Sequence, residues 1–234
     1  MGRLTRLHKH SQHQTSTQPG DLIVKAMTEK FYDRHIAPAF VHAGCSMGAF
    51  SRTRELVIPQ AHGVVVEAGF GSGLNLPYYD AGKIDRLIGI DPDPSMLKIA
   101  ERHRPAVGFD LEVVCAGAEA MPLKTASADT VVIAYALCTI PDTSAALAEI
   151  RRILKPNGRL LFAEHGRVEQ SWRGRLQDRL NGAWGRLAGG CNLNRNPSQL
   201  IEAAGFVIKG LRQERFPAYM LQLGLHSSGE AQPR

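Results

Sequence analysis

From residue 67 the chain reads Glu67-Ala68-Gly69-Phe70-Gly71-Ser72-Gly73, directly after the β-branched run Val64-Val65-Val66. Glycines at these positions let a backbone turn sharply and approach a ligand at the carboxyl end of a strand, where open α/β sheets bind nucleotides. The dinucleotide fingerprint GxGxxG needs a third glycine where this chain has Leu74. Asp91 closes the next β-branched run and can take both hydroxyls of a ribose, a requirement shared by dinucleotide and nucleoside sites. Glu67 separates the two. A carboxylate at the end of the first strand repels a pyrophosphate and suits a cationic amino group. The combination points to S-adenosylmethionine as cofactor rather than to a nicotinamide dinucleotide.

Methyl transfer from a sulfonium is an in-line displacement that removes positive charge, so proximity, alignment and a deprotonated nucleophile do most of the work. The acceptor must lie near the carboxyl ends of the fourth and fifth strand candidates, which places Tyr135, Cys138, Glu164 and His165 near the transferred methyl group. His165 is the candidate base, since imidazole titrates near neutrality; the alternative is a histidine that caps its strand. Further on, Gly189-Gly190-Cys191-Asn192-Leu193-Asn194-Arg195-Asn196 is a polar, turn-rich loop suited to an acceptor-side lid, with Cys191, Asn192, Asn194 and Arg195 as substrate contacts. The four cysteines, 45, 115, 138 and 191, offer neither a CxxC pair nor a zinc knuckle, so no metal is expected and Cys191 reads as buried or pocket-lining.

These residues need a framework, and the sequence supplies one. Five β-branched runs, at 63–69, 86–91, 111–117, 129–137 and 158–165, alternate with helical stretches, the signature of βαβ units and a parallel sheet. Asp93-Pro94 opens a helix that Pro105 ends, and Asp142 caps another carrying Leu147, Ile150 and Leu154. Residues 170–188 read as a helix with Trp172, Leu176, Leu180, Trp184 and Leu187 on one face, expected to pack onto the sheet. Segments 204–216 and 218–225 read as a closing antiparallel pair of strands. Residues 21–60 read as two helices broken around Cys45 to Gly48. The organisation expected is a flexible basic tail over 1–20, an N-terminal helical lid over 21–62, and a domain over 63–228 with 167–197 as acceptor-side lid.

The chain resembles the class I S-adenosylmethionine-dependent methyltransferases from about residue 60 to 166. VVEAGFGSG resembles their first motif, GIDPDPSML their second-strand acid, AGAEAMPL their adenine loop, and LCTIPDTSAALAEIRRILKPNGRLLF their fourth and fifth strands with the helix between. The resemblance implies an α/β, Rossmann-like, doubly wound seven-stranded sheet with an antiparallel last strand. It assigns Glu67, Gly69, Gly71 and Gly73 to the methionine end, Asp91 to the ribose, Ala118 and Glu119 to adenine, and Met96 and Leu137 to apolar walls, with Pro92 a further cofactor contact. Quinone methyltransferase relatives carry a carboxylate where this adenine loop has Gly117, so either Glu119 substitutes or the backbone reads the base.

The segments Glu164-His165, GGCNLNR, CTIPD and AGAE together resemble the methyltransferase-like thiol S-methyltransferases, over roughly residues 27–227. Their membrane-anchoring N-terminus is replaced here by a polar basic tail. Tyr32 resembles part of the N-terminal helix that folds over the cofactor in small-molecule methyltransferases; the alternative is a core aromatic. The resemblance implies a small-molecule acceptor, a thiol first, with a phospholipid amine such as phosphatidylethanolamine or a quinone or phenol as alternatives. A non-catalytic cofactor- or nucleic-acid-binding protein is the reading from another class.

Charge bears on that last reading. The formal +6 of the 234-residue chain divides into three positive charges in the tail and a surplus of four between Arg167 and Arg195, leaving the remainder near neutral. No Asn/Asp-Pro-Pro-Tyr/Phe tetrad and no Pro-Cys nucleophile is present, so no nucleic-acid partner is expected. With 44% apolar residues, no secretory h-region and no spanning apolar run, the expectation is a cytoplasmic monomer or dimer with peripheral membrane contact through the basic helix.

Overall fold

The structure is a computed structural model describing residues 31–32, 36–104, 106–169, 171–220 and 222–234. The tail at 1–20 and the first part of the expected N-terminal lid lie outside the described residues.

Helices α1 (Ala37–Cys45) and α2 (Gly48–Val57) lie before the sheet. The break between them falls where the sequence places it. α1 begins at Ala37 with Pro38 in its first turn, where the missing N–H costs nothing; residues 31–32 are also helical, and the rest of 21–35 lies outside the described residues. Then follow β1 (Gly63–Ala68), β2 (Ile84–Asp91), α3 (Pro94–His103), β3 (Asp110–Cys115), β4 (Ala128–Ala134), α4 (Thr143–Ile153), β5 (Leu154–Gly166), α5 (Trp172–Leu187), α6 (Pro197–Ala203), β6 (Phe206–Arg215) and β7 (Leu225–Pro233). The caps act as read: Asp93 Oδ1 accepts from Ser95 N and Asp142 Oδ1 from Ala145 N.

The seven strands lie in the order β3-β2-β1-β4-β5-β7-β6, all parallel except β7, which runs antiparallel to both of its neighbours. Strand order reverses between β1 and β4, so the crevice at their carboxyl ends is the switch point where such sheets bind ligands. β1 is central and covered on both faces, which is why its side chains are apolar on both sides up to Glu67. On one face Leu147, Ile150 and Ile153 of α4 and Ile201 of α6 pack on Val66, Val131, Ile133 and Phe162. On the other, Phe50 and Val57 of α2, Leu76, Tyr79 and Ala100 pack on Val65, Leu87, Val132 and Leu161.

Two expectations are corrected. The last strand is not 218–225 but Leu225–Pro233, so the sheet continues past residue 228. Its sequence, LHSSGEAQP, lacks an apolar run because it buries small polar residues: His226, Ser227 and Ser228 are all enclosed. The stripe on α5 does not pack onto the sheet either. Trp172, Leu180 and Leu187 are exposed, and the residues α5 buries are Gly174 and Gln177. Gln177 explains the anchoring: its amide accepts from Val168 N and donates to Gly166 O and Leu193 O, tying α5 to the chain on both sides by polar bonds.

Candidate functional site

At the switch point the glycine loop turns out of β1. Gly69 sits at φ +80° and its N–H donates to Ile90 O at 2.8 Å, pulling the turn against β2. A Cβ here would fall 2.2 Å from Ala136 Cβ, so glycine is required by conformation and space together. Gly71, at φ +55°, presents its N–H to Asp91 Oδ2 at 2.8 Å, while Asp91 Oδ1 accepts from Asp93 N at 2.9 Å. Burial raises the Asp91 carboxyl above its ordinary range, against the lowering effect of those two bonds.

Glu67 behaves differently from the sequence reading. It is fully buried and does not line the cavity: Oε1 accepts from Asn75 Nδ2 at 2.8 Å and Oε2 from Tyr79 OH at 2.7 Å. Asn75 in turn accepts from Arg54 Nε at 2.8 Å, and Arg54 also donates to Cys45 O and lies over the Tyr135 ring. The carboxylate therefore fastens the loop to α2 from beneath instead of facing a ligand's ammonium group. Burial pushes its pKa up to about 7.

A cavity of about 1500 Å³ opens over this turn. Single-ligand pockets run to roughly 300–1,000 Å³, so a nucleoside-sized cofactor and a second molecule fit side by side. Of the residues proposed from sequence, Tyr32, Gly69, Gly71, Asp91, Pro92, Met96, Ala118, Glu119 and Asn192 line it. Gly73, Leu137, Cys138, His165, Cys191, Asn194 and Arg195 do not. The Glu119 carboxylate occupies the space beside Gly117, where an added Cβ would come within 2.9 Å of Oε2. A side chain reaching from position 119 thus fills the place of the carboxylate missing at 117. Asp91, the glycine turn and the apolar Met96, Ala118 and Ile140 fit a nucleoside cofactor.

Tyr135 lines the far wall with φ +57°, a backbone region costly for a bulky residue and favoured at functional sites. It is pinned by its hydroxyl on His226 Nδ1 at 3.0 Å and by Phe50 packed edge-on. The acceptor-side loop is held against the turn after β4. Asn192 N and Nδ2 each donate to Cys138 O at 2.9 Å, Arg195 donates to Leu137 O and Ile140 O, and Asn194 donates to Asp178. Asn194 and Arg195 are therefore struts rather than pocket contacts.

His165 is buried, with Nε2 3.3 Å from Cys191 Sγ. Its neighbour Glu164 uses Oε1 to accept from Ala136 N and Leu137 N, and burial raises its pKa to about 7. Burial opposes a charged His165, yet the bond to Cys191 raises its pKa overall. Cys191 is lowered by hydrogen bonds from Cys138 and then His165. Cys191 has no Cys or His near it along the chain, yet in space it meets both Cys138 and His165.

The sequence reading missed the wall built by Val41 and Pro38 of α1 with Asn181, Gly185 and Arg186 of α5, and Thr139 to Pro141. Tyr32 closes this wall by donating its hydroxyl to Leu187 O at 2.6 Å, and Phe40 meets Trp184 edge to face. The signal was the apolar stripe of α5, read as facing the sheet.

Comparison with known proteins agrees with this geometry. Residues 66–162 match the family model described as a methyltransferase domain. The chain is 34% identical over 163 residues to human thiol S-methyltransferase TMT1A, covering 67% of this chain and 65% of that relative. It is 36% identical over 124 residues to demethylmenaquinone methyltransferase of Renibacterium salmoninarum, covering 51% of this chain and half of that one. Among solved structures, an S-adenosylmethionine-dependent methyltransferase of Thermotoga maritima superposes with a TM-score of 0.57 at 21% identity, covering 90% of this chain and 96% of that one. Glycine turn, the acid at the end of β2, sheet order and matched segment coincide: residues 66–162 carry a methyltransferase domain on a Rossmann-like sheet, and the chain is similar to S-adenosylmethionine-dependent methyltransferases.

Proposed function

We propose that this chain transfers the methyl group of S-adenosylmethionine to a small thiol. The observation that carries it is the paired geometry of the cavity: a nucleoside half at Asp91, Gly71 and Glu119, continuous with a second space bounded by Tyr135, Asn192 and Arg186. The similarity to human thiol S-methyltransferase TMT1A supports a thiol for that second space.

When bound, S-adenosylmethionine supplies an electrophilic methyl group on a sulfonium. Asp91, oriented by Gly71 and Asp93, would accept the ribose hydroxyls; Ala118 and Glu119 would hold the base; the turn at Gly69 would let backbone approach the methionine end. Tyr32 with α1, and the loop over 188–196, cover the acceptor and exclude water. A thiol ionises at about 8.5 in water, so a fraction arrives as the nucleophile, and Arg186 on the wall favours an anion there. A thiolate held there would accept that methyl group and become a thioether, the cofactor leaving as the neutral sulfide.

The test is incubation of the full chain with methyl-labelled cofactor and, separately, a small alkyl thiol, a quinol and phosphatidylethanolamine vesicles. A labelled thioether is expected, and label in the lipid or quinol alone overturns the thiol reading. The lipid arm has its own motive: exposed Trp172, Leu180 and Leu187 share α5 with Arg173, Arg175, Arg179 and Arg186, a composition suited to an anionic surface. No helix among the described residues is long and apolar enough to cross a membrane.

A further inference from the structure

Three side chains able to ligate a metal meet just behind the cavity wall. Cys138 from the turn after β4, His165 from β5 and Cys191 from the loop between α5 and α6 bring one ligand atom each to within 4.8 Å of one another. None of the three lines the cavity, so the cluster is separate from the cofactor pocket. Two thiols and an imidazole form the borderline-soft donor set that zinc takes, commonly with one further position left open. With Zn–S near 2.3 Å and Zn–N near 2.0–2.1 Å, tetrahedral geometry sets the ligand atoms roughly 3.6–3.8 Å apart. The Cys191 Sγ to His165 Nε2 separation of 3.3 Å and the overall spread of 4.8 Å bracket that spacing.

The frame is already built. The Asn192 amide and backbone N–H both hold Cys138 O, and Arg195 bonds Leu137 O and Ile140 O, so the Cys191 loop is strapped to the Cys138 turn on either side of the cluster. A second, independent observation concerns Trp184. Its buried indole N–H has no other partner than the Cys191 sulfur, toward which it is placed. A metal-held thiolate would be a stronger acceptor for that donor than a thiol, as outer partners are at ligating sulfurs.

We propose that Cys138, His165 and Cys191 bind one zinc-class divalent cation, which staples the 188–196 loop to the carboxyl ends of β4 and β5. Binding releases to solvent the protons held among Cys138, Cys191 and His165, since the ion takes two thiolates and a neutral imidazole. The ion then stabilises the fold by mass action and holds the acceptor-side loop closed against the sheet.

The test uses the full chain, reduced, stripped of metal by a chelator and titrated with Co²⁺ and then Zn²⁺. One ion per chain is expected, with thiolate-to-cobalt charge-transfer absorption, visible bands of tetrahedral intensity, and zinc absorption-edge spectra showing sulfur near 2.3 Å with nitrogen near 2.0 Å. C138S and C191S, checked for folding by circular dichroism, should each weaken binding at least ~10-fold. C45S and C115S should leave affinity and spectrum unchanged. Absence of stoichiometric binding, a spectrum indifferent to C138S and C191S, oxygen-only coordination, or loss of binding in C45S each overturns the assignment. Because the readout is spectroscopic, it stands whether or not the methyl acceptor proves to be a thiol.

Discussion

Asp91 and Gly71 hold each other: the carboxylate at the end of β2 accepts the backbone N–H of the glycine turn at 2.8 Å. The bond couples loop shape to ligand chemistry, since the same carboxylate that closes the turn faces the cavity with lone pairs to spare. Asp91→Asn keeps one acceptor oxygen and loses the charge. Charged hydrogen bonds of this kind contribute about 1.5–3 kcal/mol, so cofactor affinity should fall roughly 10- to 100-fold in titration calorimetry. Unchanged affinity would remove Asp91 from the site.

Gly69→Ala combines a left-handed backbone with a Cβ 2.2 Å from that of Ala136. Either the turn or the start of the segment after β4 must shift. A loss of about 2–4 kcal/mol is expected in denaturant unfolding, with cofactor binding impaired in whatever folds. Gly48→Ala, where nothing lies within 4 Å, is the matched control and should be near neutral.

Glu67 ties stability to pH. Its carboxyl titrates at about 7 in the folded chain, through burial, against an ordinary 4.5. Between those values the folded state holds a proton the unfolded state has released, so its contribution is complete below about 4.5 and declines as pH rises through about 7. Glu67→Gln keeps partners for Asn75 and Tyr79 without the titration. The variant should gain on the wild type by roughly 2.5 kcal/mol between about pH 5 and about pH 8, read by urea unfolding at both. Parallel curves would show that Glu67 does not titrate there.

Arg54 is buried where Asn75, Cys45 O and the Tyr135 ring converge. Replacing it with methionine fills much of the volume and abandons two acceptors, so about 2–4 kcal/mol should be lost. Lysine should not restore it, because a single ammonium cannot reproduce the guanidinium's planar reach to Asn75 and Cys45 together. Full recovery in Arg54→Lys would refute that geometry.

Much of the framework is legible along the chain because it is local. Five strands, the glycine turn, the Asp93 and Asp142 caps and the acid at the end of β2 each depend on residues a few positions apart. The last strand was misplaced because its inward-facing residues are serine and histidine, whose burial depends on the partners β5 and β6 supply. The α5 stripe misled in the opposite direction: apolar periodicity says that a helix has a face, and the face it buries was chosen by Gln177.

Glu67 makes the same point within the site. Residue type and position at the end of β1 suggested a partner for an ammonium group, yet Asn75 and Tyr79, eight and twelve residues on, claim both oxygens from below. The gathering of Cys138, His165 and Cys191 lies furthest from sequence reading. Local chemistry sets which segments become strands, turns and caps, because backbone conformation responds to near neighbours. Which distant side chains share a dry volume follows from the order of the strands and the path of the loops, and that is settled when the chain packs as a whole.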